Sequence, residues 1–120
     1  MKEIVLGLNY SHDSSAALLV DGSIIAACEQ ERFNLEKHTR EFPSDAVFEC
    51  LNISGLSMSD IDIIATPLEH PQYTTKDVLD LIRNEIGFFG LVDFHPHHLC
   101  HLSASYYLSG FIDAIIFSVD

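Results

Sequence analysis

The sequence predicts an α/β fold in which a mixed sheet opens with three antiparallel strands and carries flanking helices. Two observations support this class. Short apolar runs typical of strands fill the first thirty residues, and helical periodicity then alternates with further apolar runs. The order β-β-β-α-β-α-β-α-β, with right-handed crossovers, predicts that the strands after the hairpins are parallel. The 120 residues, 48% hydrophobic and 20% charged, suit one domain or part of one.

The three N-terminal strands are rich in Ile, Val, Leu and Ala. They cover residues 3–10 (EIVLGLNY), 15–20 (SAALLV) and 23–30 (SIIAACEQ). Asp21 and Gly22 separate the second strand from the third, and this dipeptide favours a two-residue type I′ hairpin turn. The polar residues 11–14 join the first strand to the second. The sequence therefore predicts two consecutive hairpins.

The later elements alternate between helices and strands. They are a helix over residues 43–55, a strand over 61–65, a helix over 74–87, a strand over 91–94, a helix over 97–108 and a strand over 113–119 (DAIIFSV). Thr74 or Thr75 is expected to cap the second helix, and Gly55 and Gly87 are expected to end the first two. The chain stops on Asp120 at the tip of the last predicted strand, where open α/β folds place ligand groups. We therefore expect residues 1–120 to be a fragment of a larger protein.

Charge and cysteine content narrow the function classes. Eighteen acidic and six basic residues give a net charge of -12 and a pI near 4.7, which disfavours nucleic acids and anionic membranes as partners. The apolar runs fall well short of the roughly 18 residues that a membrane span needs. Three cysteines without a C-x-x-C pair indicate neither a disulfide framework nor a thiolate zinc site. A cytoplasmic protein that binds small molecules is the expectation.

Histidines form the most unusual feature, because four of the seven lie within residues 95–101 (HPHHLCH). On a helix, His97 and His101 are four residues apart and share one face, so both could bind one metal ion. Asp120 is the expected third ligand, since the tip of the last predicted strand should face this helix. Such a set suits iron, zinc or manganese. The alternative is a surface helix with scattered histidines.

Two further segments could bind a ligand. The loop after the first strand offers small hydroxyl residues together with His12, and the alternative is a polar loop with no ligand. Lys37 and Arg40 cluster after the third strand and could serve an anionic ligand, although a solvated charged loop is the alternative. Cys100 is better read as a small helix residue than as a nucleophile, because neighbours at i and i+1 do not face each other on a helix.

Three segments together resemble the N-terminal part of the O-carbamoyltransferases of nodulation-factor and antibiotic biosynthesis. They are GLNYSHDSSAALLVDGSIIAACEQERFNLEKH, the following FP, and HHLCHLSASYYLSGFIDAIIFSVD. The resemblance implies an actin/sugar-kinase-like (ribonuclease H-like) lobe related to the tRNA threonylcarbamoyl transferases. It also implies that a C-terminal domain makes carbamoyl-adenylate from carbamoyl phosphate and ATP. The carbamoyl group then passes to a hydroxyl of a sugar-like or antibiotic-like acceptor.

Residue by residue, the resemblance matches the family's metal-binding residues to His97, His101 and Asp120, with iron as the favoured metal. It matches the active-site histidine to His12 and a motif lysine to Lys37. Residues 1–120 would be the first lobe of the N-terminal carbamoyltransferase domain, without the second lobe and the adenylate-forming domain. We therefore expect the isolated chain to be inactive and to self-associate through residues 113–119. A non-catalytic metal-binding or protein-interaction module of the same fold is the alternative.

Overall fold

A computed structural model describes residues 2–119, which form a five-stranded mixed sheet in the order β3-β2-β1-β4-β5. The strands are β1 (Ile4–Asn9), β2 (Ser15–Val20), β3 (Ser23–Glu29), β4 (Ile63–Pro67) and β5 (Leu91–His95). The helices are α1 (Glu31–Asn34), α2 (Ser44–Ser54), α3 (Thr75–Ile86) and α4 (His97–Ser109), and a 3-10 turn covers Met58–Asp60. Strands β1, β2 and β3 are antiparallel, whereas β4 and β5 run parallel to β1. The mixed sheet predicted from the sequence is confirmed.

The β2–β3 hairpin has the predicted type I′ turn. Asp21 and Gly22 have φ angles of 49° and 79°, and this turn requires a positive φ at both central residues. The Asp21 carboxylate also accepts a hydrogen bond from the Glu3 N–H at 2.8 Å. The turn is thereby tied to the chain just before β1.

One face of the sheet carries the hydrophobic core. Alternate strand residues such as Leu6, Leu18 and Ile64 are fully buried, as the two-residue period of a strand dictates. Helices α2 and α3 cover this face with Val47 and Ile82, which are also fully buried. Burial of apolar area on this scale is the main favourable contribution to folding, and it fixes the strand ends that carry the polar loops.

Helix α3 begins and ends at the predicted residues. The Thr74 hydroxyl accepts a hydrogen bond from the Asp77 N–H at 3.2 Å, and the Asp77 carboxylate accepts one from the Thr74 N–H at 2.9 Å. This reciprocal pair is a capping box, and the bond from the Thr74 backbone lowers the pKa of Asp77. Gly55 and Gly87 end α2 and α3 in the left-handed conformation, which favours glycine.

The opposite face of the sheet is covered loosely by α4. Small residues line a cavity of about 650 Å³ between them, including Gly7, Ala17 and Ala65 of the sheet and Ser103 and Ala104 of the helix. Within the described chain, α4 has no buried residue. It has 13 residues, and no helix among residues 2–119 is long and apolar enough to cross a membrane.

The strand predicted over residues 113–119 is wrong. This segment has no regular secondary structure, and Ile115 and Phe117 are more than four fifths exposed. It runs beside α4 and not beside β5. The Tyr106 hydroxyl of α4 donates a hydrogen bond to the carbonyl of Ile112, just before the segment, and Ser118 within it is hydrogen-bonded to His98. It pairs with no strand among the described residues, although β5 is an edge strand of the sheet.

Candidate functional site

The loop after β1 is a tight polar turn. The Asn9 side-chain amide donates to the carbonyls of His12 at 3.2 Å and Asp13 at 3.0 Å. The Ser14 hydroxyl donates to the Ser11 carbonyl at 2.8 Å. These bonds surround Asp13, whose φ is 58°, a left-handed conformation that aspartate adopts more readily than most residues. His12 and Asp13 therefore project from a defined turn at the carboxyl end of β1.

A single carboxylate joins two histidines at this turn. The Asp13 oxygens lie 2.8 Å from Nδ1 of His12 and 2.7 Å from Nδ1 of His38. Hydrogen bonds from His12 and then His38 lower the pKa of Asp13, and the bond to Asp13 raises the pKa of His38. The sequence predicted His12 as a site residue but assigned no role to Asp13 or His38. Asp13 and His38 are 25 residues apart, so no local spacing indicates their contact.

The segment that carries His38 is attached to this turn through its backbone. Thr39 is buried, and its carbonyl accepts hydrogen bonds from the Ser14 N–H at 3.2 Å and the Ser14 hydroxyl at 3.3 Å. The Gln30 N–H in turn donates to the Ser14 carbonyl at 2.9 Å. Residue 38 has a φ of 58°, which is uncommon for residues other than glycine. The backbone contacts place His38 against Asp13.

A buried glutamine supports the same segment. The Gln30 amide donates to the carboxylates of Glu41 at 3.1 Å and Asp45 at 2.8 Å, and its oxygen accepts from the Ala46 N–H at 3.0 Å. The Asn34 side-chain amide donates to the same Glu41 oxygen, at 2.8 Å. Gln30 therefore satisfies a first-turn N–H of α2, which has no side-chain cap of its own. The charged stretch predicted as a possible loop contains the short helix α1.

Lys37 lies next to His38 and is exposed, as is Arg40. Among the described residues, Lys37 makes no ion pair. The structure thus brings the Lys37 segment to the His12 turn through His38, and it leaves the ammonium group in solvent. A solvated amine on a fixed segment remains able to bind an anionic oxygen.

The two predicted metal-ligating histidines meet on the first turns of α4. Nε2 of His97 lies 3.0 Å from Nε2 of His101, and the ring centroids are 4.5 Å apart. Two imidazole nitrogens at about 2.0–2.1 Å from a common ion would be separated by roughly this distance. The Glu69 carboxylate accepts a hydrogen bond from the His97 N–H at 2.7 Å, which satisfies one of the free donors at the helix start. The pair is therefore suited to sharing one ion.

The predicted third ligand, Asp120, lies outside the described residues. Within residues 2–119, no group of three His, Cys, Asp or Glu side chains is arranged to hold a metal ion. Ser118, two positions earlier in the chain, is hydrogen-bonded to His98. The segment after α4 thus returns to the helix turn that carries the histidine pair.

An aromatic cluster that the sequence did not predict lies close to both predicted sites. Tyr10 stacks on Tyr73 with ring centroids 5.5 Å apart and contacts Phe42 and His70 at 5.1 and 5.2 Å. Burial raises the pKa of Tyr10 to about 12 and lowers the pKa of His70. Nδ1 of His70 accepts backbone hydrogen bonds from Gln72 and Tyr73, which requires that nitrogen to be unprotonated.

Cys100 is half-buried, and its thiol points to the His95 carbonyl at 3.9 Å. Burial raises the pKa of this thiol, whereas a nucleophilic cysteine needs a lowered pKa. The interpretation of Cys100 as a helix residue is supported. It contributes to the wall of the cavity between α4 and the sheet.

The structure is an α/β domain with candidate site residues in two places, the loop after β1 and the first turns of α4. Comparison of its sequence with known proteins identifies its family. Residues 4–81 match the family model described as the carbamoyltransferase N-terminus. The chain therefore belongs to the carbamoyltransferase N-terminal family.

Individual relatives match different shares of the chain. The chain is 29% identical to the nodulation protein NolNO of Sinorhizobium fredii over an alignment 133 positions long. The alignment covers 92% of this chain and 20% of that protein. An uncharacterized protein of Synechocystis sp. is 40% identical over 77 residues, covering 63% of this chain and 12% of the relative. An uncharacterized 19.2 kDa protein of Rhizobium etli is 33% identical over 97 residues, covering 69% and 57%. The chain thus spans only about a fifth of NolNO.

Solved structures share the fold at low sequence identity. A crystal structure of an uncharacterized protein with similarity to peptidase YeaZ, from Pseudomonas aeruginosa, superposes with a TM-score of 0.56 and 16% identity, covering 90% of this chain and 49% of that one. YeaZ from the same organism superposes with a TM-score of 0.51 and 18% identity, covering 90% of this chain and 50% of that one. The chain corresponds to about half of each of these proteins.

Proposed function

We propose that this chain is the first, ribonuclease H-like lobe of the transfer domain of an O-carbamoyltransferase. The observation that carries the proposal is the placement of the two predicted sites. A small cavity of about 20 Å³ is lined by Asn9, Tyr10 and Ser11 at the end of β1, by Glu69 in the loop after β4 and by His97 at the start of α4. Family membership supports the reaction class, and the shared cavity supports a position of the loop that carries His12 close to the first turn of α4.

In the proposed reaction, an acceptor hydroxyl attacks the carbonyl carbon of carbamoyl-adenylate. A new carbon–oxygen bond forms to the acceptor, the bond from the carbamoyl carbon to the phosphate oxygen breaks, and AMP leaves. His12 takes the hydroxyl proton on its free ring nitrogen. Lys37 neutralises the negative charge that develops on the carbamoyl oxygen or on the departing phosphate. The acceptor is a sugar-like or antibiotic-like molecule, as the family resemblance implies.

His97 and His101 are the residues that would hold a divalent metal ion, with Asp120 as the proposed third ligand. Iron is favoured by the resemblance, and zinc or manganese would accept the same donors. The 3.0 Å separation of the imidazole nitrogens fits shared ligation. When bound, such an ion would supply Lewis-acid polarisation of a donor oxygen. The Glu69 bond to the His97 N–H would keep this ligand turn in place.

The test is carbamoyl transfer by the intact transferase that we propose contains this chain. Labelled carbamoyl phosphate, ATP and a panel of sugar and polyhydroxylated antibiotic acceptors would be supplied, and labelled product measured. We expect His12→Ala and Lys37→Ala each to lower the turnover number by about 10² or more. Lys76→Ala is the matched control, because it removes an exposed lysine that lies on α3, away from the Lys37 segment. It should keep full turnover.

The isolated 120-residue chain should form no product, because positioning of activated donor and acceptor provides much of the rate in transfer chemistry. Unchanged turnover in His12→Ala would remove that residue from catalysis. Absence of transfer by the intact protein with every acceptor, together with retained metal, would favour the non-catalytic metal-binding module.

A further inference from the structure

We infer that Asp13 is the positioning residue of the loop after β1, holding His12 and His38 each with the proton on Nδ1. The inference rests on the proposed function, because it gives His12 a defined tautomer for its role as a base. The Asp13 oxygens lie within 2.8 Å of both Nδ1 atoms. A carboxylate can only accept in such contacts, so each Nδ1 must carry the hydrogen.

The tautomer decides which ring nitrogen of His12 can accept the acceptor proton. With Nδ1–H bonded to Asp13, the lone pair of His12 is on Nε2, on the opposite side of the ring. When Nε2 takes the acceptor proton, Nδ1–H stays on Asp13 and the carboxylate balances the new positive charge. Asp13 need not change its own protonation state in this step, because its pKa is lowered by both histidines.

His38 orients the carboxylate. Its Nδ1 bonds Oδ1 of Asp13, while His12 bonds Oδ2. Rotation of the carboxylate would break both bonds at once, so the second histidine restrains the first. The charged groups near His38 are Asp13, Glu31 and the adjacent Lys37, and the acidic residues raise the pKa of His38. An ion pair between Asp13 and His38 therefore persists from the lowered pKa of Asp13 up to the raised pKa of His38.

The backbone around Asp13 supports a positioning role over a chance surface contact. Both Asp13 and His38 have φ angles of 58°, and such conformations cost free energy in residues other than glycine. They are held by Asn9 on one side and by the Ser14–Thr39 backbone bond on the other. Two independently restrained turns thus deliver the three side chains to one point.

The test begins with nitrogen-15 NMR of the histidines in the 120-residue chain. We expect His12 and His38 to show the Nδ1–H tautomer in the parent. In Asp13→Asn, which keeps a residue suited to positive φ, both should lose that preference, and the protonation midpoint of His38 should fall. Glu31→Gln is the matched control, because it removes a nearby acidic group that is not bonded to either ring. It should leave both tautomers unchanged.

Activity of the intact transferase supplies the second readout. Asp13→Asn should lower kcat by about 10² with little change in the acceptor KM, since substrate contacts remain. His38→Gln can still donate to Asp13 and should retain most of kcat, whereas His38→Ala should lose more. If a substitution at Asp13 or His38 unfolds the chain, the tautomer of His12 in the parent still decides the question.

Two outcomes would overturn the inference. One is an unchanged His12 tautomer in Asp13→Asn, and the other is a parent in which His12 carries its proton on Nε2. Both are measured without any turnover, so they refute Asp13 as the positioning residue whatever the reaction is. Absence of transfer by the intact parent enzyme would instead refute the proposed function and leave the tautomer result standing.

Discussion

The two faces of the sheet differ in how they are packed. Helices α2 and α3 bury a continuous apolar core on one face, including Leu18 and Ile82 at zero exposure. On the other face α4 stands off the sheet across a cavity of about 650 Å³, and the segment after it leaves Ile112 and Phe117 exposed. The face covered by α2 and α3, here called the packed face, therefore provides most of the stability. The face under α4, here called the loose face, lies beside the helix with the histidine pair.

This difference separates the requirements of folding from those of the proposed site. His12, Asp13 and His38 lie on loops fixed by backbone hydrogen bonds to the packed half. His97 and His101 lie on a helix with little support in the described chain. Binding residues often lie on loops that a rigid scaffold holds in position.

The largest expected effect contrasts one residue from each face. Ile82→Ala in α3 should lower the free energy of unfolding by about 2–5 kcal/mol, because it leaves a cavity in the packed core. Leu108→Ala in α4, where the parent residue is 71% exposed, should change it by less than about 0.5 kcal/mol. Urea denaturation of both variants checks this, and equal losses would contradict the comparison.

The buried glutamine should give the next largest effect. Gln30→Ala removes three hydrogen bonds and leaves the Ala46 N–H without its partner. The expected loss is about 1–3 kcal/mol of unfolding free energy, typical of an unsatisfied buried group. Gln72→Ala, at an exposed position, is the control and should be nearly neutral. A neutral Gln30→Ala in denaturant titration would show that water replaces the network.

The cap of α3 should give a smaller effect. Thr74→Ala removes the hydroxyl that accepts the Asp77 N–H and should cost about 1 kcal/mol of unfolding free energy. Thr75→Ala changes the neighbouring residue inside the helix and leaves this hydrogen bond in place. Thermal unfolding followed by circular dichroism distinguishes the two variants. A lower Tm for Thr75→Ala than for Thr74→Ala would contradict the assignment of the cap.

The smallest expected effect is weak self-association through residues 113–119. Ile115 is 87% exposed, and the segment combines high β-propensity with few charges, although the net charge of -12 opposes association. Light scattering at millimolar concentration should detect association that Ile115→Asp reduces. Phe89→Asp, which adds the same charge at another exposed apolar residue, should reduce it less. A monomer at all concentrations would reject this expectation.

Much of the fold could be predicted because its signals are local. The Asp21-Gly22 turn, the Thr74 cap and the glycines that end α2 and α3 each act within a few residues. The pairing of strands into one mixed sheet followed from their order and from crossover handedness. The strand over residues 113–119 was predicted wrongly, because β-propensity depends on context and does not decide whether a segment pairs with an available edge strand such as β5.

The site could be predicted only in part, for a similar reason. His97 and His101 meet because the helical period brings residues four apart together. The contact between Asp13 and His38 depends instead on two left-handed backbone positions and on the buried Thr39. None of these is encoded by a local spacing. The aromatic contact of Tyr10 with His70 likewise joins residues 60 positions apart, through the packing of loops on the core.

The most direct test of the central claim, that the loose face holds the metal of a carbamoyltransferase, is the metal content of the intact protein. Elemental analysis would compare the parent with His97→Ala, His101→Ala and His98→Ala. The isolated 120-residue chain should hold metal weakly or not at all. The first two variants should lose most of the bound metal and most activity, because each removes one of the two converging imidazoles. His98→Ala, which leaves both in place, should retain more of each. Equal metal content in all four proteins would contradict the site.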